Sequence, residues 1–142
     1  MTQFNLPCRG TLRHIFCLLS LSLLAVGCQK GPELGSVKGT VKLEGQPLAN
    51  ATITFTPEPA GRSSMGRTND MGEYELRYTA TSGGALVGPM RVRITTAGEV
   101  TDARERTTMQ PELLPKRYNE DSELVVDIKP GANTFDFDLK SK

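Results

Sequence analysis

Val37-Lys38-Gly39-Thr40-Val41-Lys42-Leu43-Glu44-Gly45-Gln46-Pro47-Leu48-Ala49-Asn50-Ala51-Thr52-Ile53-Thr54-Phe55 alternates apolar and polar residues on both sides of a tight turn. Successive strand side chains point to opposite sides, so Val37, Gly39, Val41 and Leu43 share one face and Lys38, Thr40 and Lys42 the other. Glu44 to Leu48 supply the bend, with Gly45 tolerating positive φ and Pro47 presetting the backbone. Ala51, Ile53 and Phe55 then resume the apolar face. Pro57 and Pro59 end that strand, since proline donates no ladder hydrogen bond.

The same period of two recurs downstream. A weak strand is expected at Ser64–Thr68, and Asn69-Asp70-Met71-Gly72 reads as a turn in which Asn and Asp side chains imitate backbone acceptors. Tyr74, Leu76 and Tyr78 oppose Glu73, Glu75 and Arg77. Met90, Val92 and Ile94 form the apolar face of the next strand, and Leu124, Val126 and Ile128 that of another. After a turn at Lys129–Asn133, Phe135, Phe137 and Leu139 alternate with Thr134, Asp136, Asp138 and Lys140. About seven short strands, each apolar on one side only, need a second apolar face to cover them. The expectation is an all-β fold, a seven-stranded β-sandwich.

A different pattern precedes the strands. Arg9 and Arg13 lead into an apolar stretch of 12 residues, Ile15 to Val26, too short for the roughly 20 residues that span a bilayer. Leu24-Ala25-Val26-Gly27-Cys28 resembles a bacterial lipobox, with Ala25 where leucine is usual and Leu24 one place further back. The resemblance implies a signal peptide over residues 1–27, cleavage before a lipidated Cys28, a tether over residues 28–35 and a domain over residues 36–142. It also implies membrane attachment through acyl chains on Cys28, with the domain outside the cytoplasm. Gln29, rather than aspartate, after the cysteine favours the outer membrane.

Without residues 1–27, 115 residues remain, carrying 15 basic and 16 acidic side chains. That balance offers no basic footprint for nucleic acid and no polybasic stretch for anionic lipid. Cys8, Cys17 and His14 all lie in the expected leader. The remainder would hold no histidine and a single cysteine, which excludes an internal disulfide, a Cys/His zinc site and a Ser–His–Asp triad. No cofactor or metal is expected.

Gly39-Thr40-Val41, then Gly45-Gln46-Pro47-Leu48 with Ala51 and Ile53, resembles the opening of carboxypeptidase regulatory-like domains. Thr68-Asn69-Asp70-Met71-Gly72-Glu73-Tyr74-Glu75-Leu76 is similar to their second signature. Leu114-Pro115-Lys116-Arg117-Tyr118-Asn119 and Asn133 to Leu139 look like the version found in small exported lipoproteins. The resemblance spans about residues 36–140 and implies a transthyretin-like sandwich, also immunoglobulin-like in architecture. It carries no peptidase residues onto this chain, because the shared positions belong to turns and core.

Three groups of residues could carry chemistry. Asn69, Asp70 and Glu73 could suggest calcium, but a four-residue turn supplies too few oxygens for its six to eight ligands, and a plain turn is expected. Asp127, Asp136 and Asp138 alternate with core residues and read as a solvated face rather than a glycosidase pair. Residues 97–121 form the longest unassigned connection. Leu113, Leu114, Pro115 and Tyr118 should anchor its second half, while Arg104, Arg106, Arg117 and Tyr118 could contact a partner. The leading expectation is a non-catalytic binding or structural module of the cell envelope, touching an envelope protein or polysaccharide. An alternative is binding or sensing of a small apolar ligand, which requires a cavity between the sheets or at a subunit interface. A transthyretin-like hydrolase is disfavoured: those enzymes resemble one another through histidines and a Tyr-Arg-Gly-Ser end, whereas this chain closes on Leu139-Lys140-Ser141-Lys142.

Overall fold

The alternation around Val37–Leu43 becomes the axis of one sheet in the computed structural model, which describes residues 31–142. The expected signal peptide and Cys28 lie outside the described residues. In chain order the strands are Leu34–Leu43 (β1), Gln46–Pro47 (β2), Thr52–Pro57 (β3), Ser64–Arg67 (β4), Glu73–Glu75 (β5) and Ala85–Leu86 (β6). Gly88–Thr95 (β7), Gly98–Thr101 (β8), Thr107–Gln110 (β9), Val125–Ile128 (β10), Gly131–Thr134 (β11) and Phe137–Leu139 (β12) complete them. The fold is all-β, with one three-residue 3-10 turn at Lys116–Tyr118.

β1 is paired on both sides. β2, β5 and β6 run antiparallel to it, while β11 and β12 run parallel to it. The second sheet has the order β10-β7-β3-β4, antiparallel throughout. Leu43-Glu44-Gly45-Gln46 closes as a two-residue hairpin with φ of 52° at Glu44 and 80° at Gly45. Positive φ at both central residues gives the turn whose twist matches the flanking strands. Gly45 was foreseeable; Glu44 in that conformation was not.

Val37, Val41, Tyr74 and Leu76 from the first sheet meet Ile53, Phe55, Val92 and Ile94 from the second in one buried core. Phe55 bridges the layers, with ring centroids 6.1 Å from Phe135 and 6.5 Å from Phe137. These are aromatic contact distances, and burial of each large side chain contributes roughly 1.5–3 kcal/mol.

Among the described residues twelve strand segments replace the seven expected: β2 and β6 are two-residue additions paired along β1, and the other three arise in two ways. First, the last expected strand is cut back to β12, and β11 occupies much of the stretch expected as a turn at Lys129–Asn133. β11 and β12 keep the same offset against β1, yet pairing lapses between them at Phe135 and Asp136. The Asp136 carboxylate Oδ1 accepts from the Thr40 amide at 2.8 Å and from its hydroxyl at 2.8 Å, in place of a ladder carbonyl. The Phe135 carbonyl turns instead to accept from the Tyr74 hydroxyl at 2.9 Å.

Second, the connection over residues 97–121 is not structureless. β8 and β9 form an exposed hairpin joined by a Thr101–Thr107 hydroxyl pair at 3.0 Å. Of the expected anchors Leu114 is buried, but Leu113 is 52% exposed. The outer edge of β4 is closed too, because Met65 and Arg77 exchange both backbone hydrogen bonds, at 3.0 and 2.8 Å.

Candidate functional site

Arg104, Arg106, Arg117 and Tyr118 fall into two separate pairs, and among the described residues no hydrogen bond or ion pair joins them. The first pair flanks the β8–β9 turn. Asp102 Oδ1 accepts from the amides of Arg104 at 2.8 Å and Arg106 at 3.0 Å, and Oδ2 from Arg106 Nε at 2.9 Å. The Arg106 amide and guanidinium hold the Asp102 carboxyl below the ordinary range.

Arg117 and Tyr118 sit on the 3-10 turn. The guanidinium lies 4.8 Å from the Tyr118 ring centroid and donates to the carbonyls of Lys140 at 3.0 Å and Lys142 at 2.6 Å. The Tyr118 hydroxyl accepts the Lys140 amide at 3.2 Å. Both side chains therefore fasten this turn to the end of β12.

The acidic candidates are engaged structurally as well. Asn69 Oδ1 accepts from the amides of Met71 at 2.9 Å and Glu73 at 3.0 Å, and its Nδ2 donates to Glu73 Oε2 at 3.0 Å. Asn69 and Glu73, offered above as calcium ligands, thus hold the turn. Among the described residues, no three of His, Cys, Asp or Glu converge to hold a metal ion. Asp127 pairs with Lys129 and Asp138 with Lys140, while Asp136 accepts from Thr40.

Two open grooves mark the outer faces of the sheets. One, of about 600 Å³, overlies the break between β11 and β12 and is lined by Lys38, Thr40, Arg67, Glu73, Glu75 and Asp136 among others. Arg67 there donates to the Glu99 carbonyl at 3.0 Å, tying β4 to the hairpin. The other groove, of about 490 Å³, lies over the β3–β7 pair. Thr54 on β3 is the cross-strand neighbour of Arg93 on β7, and Thr54, Thr56, Arg93 and Thr95 line its floor. Arg93 Nε donates to the Asn119 carbonyl at 2.9 Å, and the Thr56 and Ser63 hydroxyls are 3.0 Å apart.

Glu112 fixes one wall of this second groove. Its carboxylate accepts from the hydroxyls of Thr95 and Thr96 (2.9 Å for Thr96) and from the amides of Thr96 at 3.2 Å and Leu114 at 2.9 Å. Burial pushes the carboxyl upward, but the hydrogen bonds outweigh it and hold the group below the usual glutamate range. The sign follows. A folded-state value below the unfolded one stabilises the fold above the unfolded value, and that contribution is lost as pH falls through the lower folded value. Urea midpoints should therefore fall on acidification below about pH 4.3. Glu112→Gln should be less stable at pH 7 and lose less on acidification. An equal acid loss in both proteins would show that Glu112 does not carry the effect.

The strand residues of the second groove were not singled out in the sequence, while Ala97, Glu112, Asn119 and Glu120 fall in the 97–121 connection. The only signal of the groove is a row of short hydroxyls, Thr52, Thr54 and Thr56, where the polar side of a solvated strand commonly bears long charged residues. No protein-family model matches the chain, and no curated protein matches it either. Among solved structures, a 9R-lipoxygenase from Cyanothece PCC8801 is similar over 76% of this chain, with 12% identity and a TM-score of 0.42. This chain covers 16% of that structure's length. A likeness at that level carries no statement about activity.

Proposed function

We propose that the chain is an exported lipoprotein whose carboxypeptidase regulatory-like, transthyretin-like domain serves as a non-catalytic binding or structural module of the cell envelope. The observation that carries this reading is how the chain enters the fold. β1 begins at Leu34, six residues beyond Cys28, and is paired from its first residue, Leu34 to Leu86 and Gly35 to both Ala85 and Gly131. Six residue steps reach at most about 22 Å even when fully extended. A lipid on Cys28 would thus hold the sandwich close to the bilayer surface, in the manner expected of an anchored module. Acyl chains contribute about 0.8 kcal/mol per buried methylene, so more than one chain holds the protein firmly.

The interior supports a binding rather than a catalytic role. Phe55, Phe135, Phe137 and Tyr74 occupy the space between the sheets. Both grooves lie outside it, and two of the carboxylates there, Glu112 and Asp136, are committed to backbone amides.

Metabolic labelling with a radioactive fatty acid tests the anchor. Wild-type protein should take up label and sediment with membranes, whereas Cys28→Ala should lose the label. Equal labelling of the two would refute the lipoprotein reading.

A further inference from the structure

The geometry points to the groove over β3 and β7 as a binding site for a short, neutral oligosaccharide. The proposal deepens the envelope reading above and rests on it for the source of the ligand. Its floor is rigid. β3 and β7 pair in unbroken register from Thr52–Thr95 to Pro57–Met90, and β4 and β10 occupy their other edges. An extended peptide gains affinity by adding to an unpaired strand edge, and here β4 covers β3 over Thr52–Phe55 and β10 covers β7 over Gly88–Arg91, which leaves only short uncovered stretches.

The chemistry of the lining selects among other ligands. Arg93 brings one positive charge against Glu112, and Glu120 is balanced by Lys116 at 2.9 Å. With Lys116 beside Glu120, these charges sum to zero, so net charge favours neither an anion nor a cation. An apolar ligand would strip water from Thr54, Thr56, Ser63 and the Arg93 guanidinium without replacing their hydrogen bonds. A polyhydroxyl ligand replaces them and brings no charge, since each hydroxyl both donates and accepts.

The polar groups are also held in place beforehand. Arg93 Nε is fixed on the Asn119 carbonyl, and among the described residues the terminal guanidinium nitrogens donate no hydrogen bond, which leaves their fork for a ligand. Glu112 is immobilised by four donors. Groups already positioned lose less freedom on binding. The volume, about 490 Å³, lies within the roughly 300–1,000 Å³ of small-molecule sites.

Amide NMR titration of the full chain in detergent micelles provides the test, with chitotriose, cellotriose and mannotriose as probes. At least one trisaccharide should shift the amides of Thr54, Thr56, Arg93 and Thr95 in a saturable way. Thr54→Val, which keeps the side-chain shape, and Arg93→Gln should each weaken that binding at least fivefold without moving the core resonances. The proposal is overturned if no trisaccharide shifts these amides, or if neither substitution weakens the response. A neutral glycyl tripeptide that shifts the same amides as strongly would mark a peptide site and overturn it as well. Running Cys28→Ala in parallel separates the two readings. Loss of saccharide binding with an intact Cys28 label removes this site alone, whereas saccharide binding in a protein that is never lipidated removes the anchor alone.

Discussion

Gly39→Ala should destabilise the domain by about 3 kcal/mol or more, a large part of the 5–15 kcal/mol typical of a folded chain. A Cβ at this position would stand 1.8 Å from the Phe135 carbonyl oxygen and 2.7 Å from its carbon. Overpacking a tight interior costs about 1–3 kcal/mol when side chains can adjust. Here the obstacle is backbone. The Phe135 amide donates to the Lys38 carbonyl at 3.0 Å, its carbonyl accepts the Tyr74 hydroxyl, and Asp136 holds the Thr40 amide. Moving that peptide away breaks these bonds and strands the mostly buried Tyr74 hydroxyl, a further 1–3 kcal/mol or so. Gly45→Ala is the control. Its φ is 80° but no atom lies within 4 Å of the added carbon, so only backbone strain acts, about 1 kcal/mol. Urea unfolding of the two variants separates crowding from strain, and equal losses would refute the close-approach argument.

The same place in the fold shows what alternation can and cannot reveal. Val37, Val41, Ile53, Phe55, Val92 and Ile94 were assigned to inward faces from spacing alone, and all are buried. They lie on long strands whose polar and apolar sides differ sharply, so one face has no alternative but the core. Phe135 and Asp136 break the pattern for a reason no local window contains. Their partners are Lys38 and Thr40, nearly a hundred positions earlier in the chain, and the lapse in pairing between β11 and β12 depends on that distant strand. The β8–β9 hairpin was missed for the opposite reason. It has little apolar face, with Met109 being 72% exposed, and is held by cross-strand threonines and the Asp102 turn. Hydrophobic periodicity is silent about such an element.

The candidate site divides along the same line. Arg117 and Tyr118 stood out because charge and an aromatic ring adjoin in a connection, yet that prominence reflects a staple onto the backbone of Lys140 and Lys142. Thr54 and Arg93 stood out in no way, since each is an ordinary polar position on its own strand. Only the pairing of β3 with β7 sets them side by side. Distinctive residues here fasten the fold, and ordinary ones line the groove.

Phe55→Ala should lower stability by about 3–5 kcal/mol, the range for removing a buried aromatic ring. Phe55 is fully buried and touches both layers through Phe135 and Phe137. Its neighbours are held by strand pairing and cannot collapse fully into the space, so part of the loss comes from an unfilled cavity. At about 4 °C per kcal/mol for a domain of this size, the Tm should fall by roughly 15 °C. The resulting cavity would be walled by apolar side chains, and such cavities stay dry and admit small apolar molecules. Saturating benzene should therefore raise the Tm of Phe55→Ala while leaving wild type unchanged. A comparable rise in wild type would mean that the native interior already accepts an apolar guest, and the apolar-ligand reading of this domain would replace the one argued from its grooves.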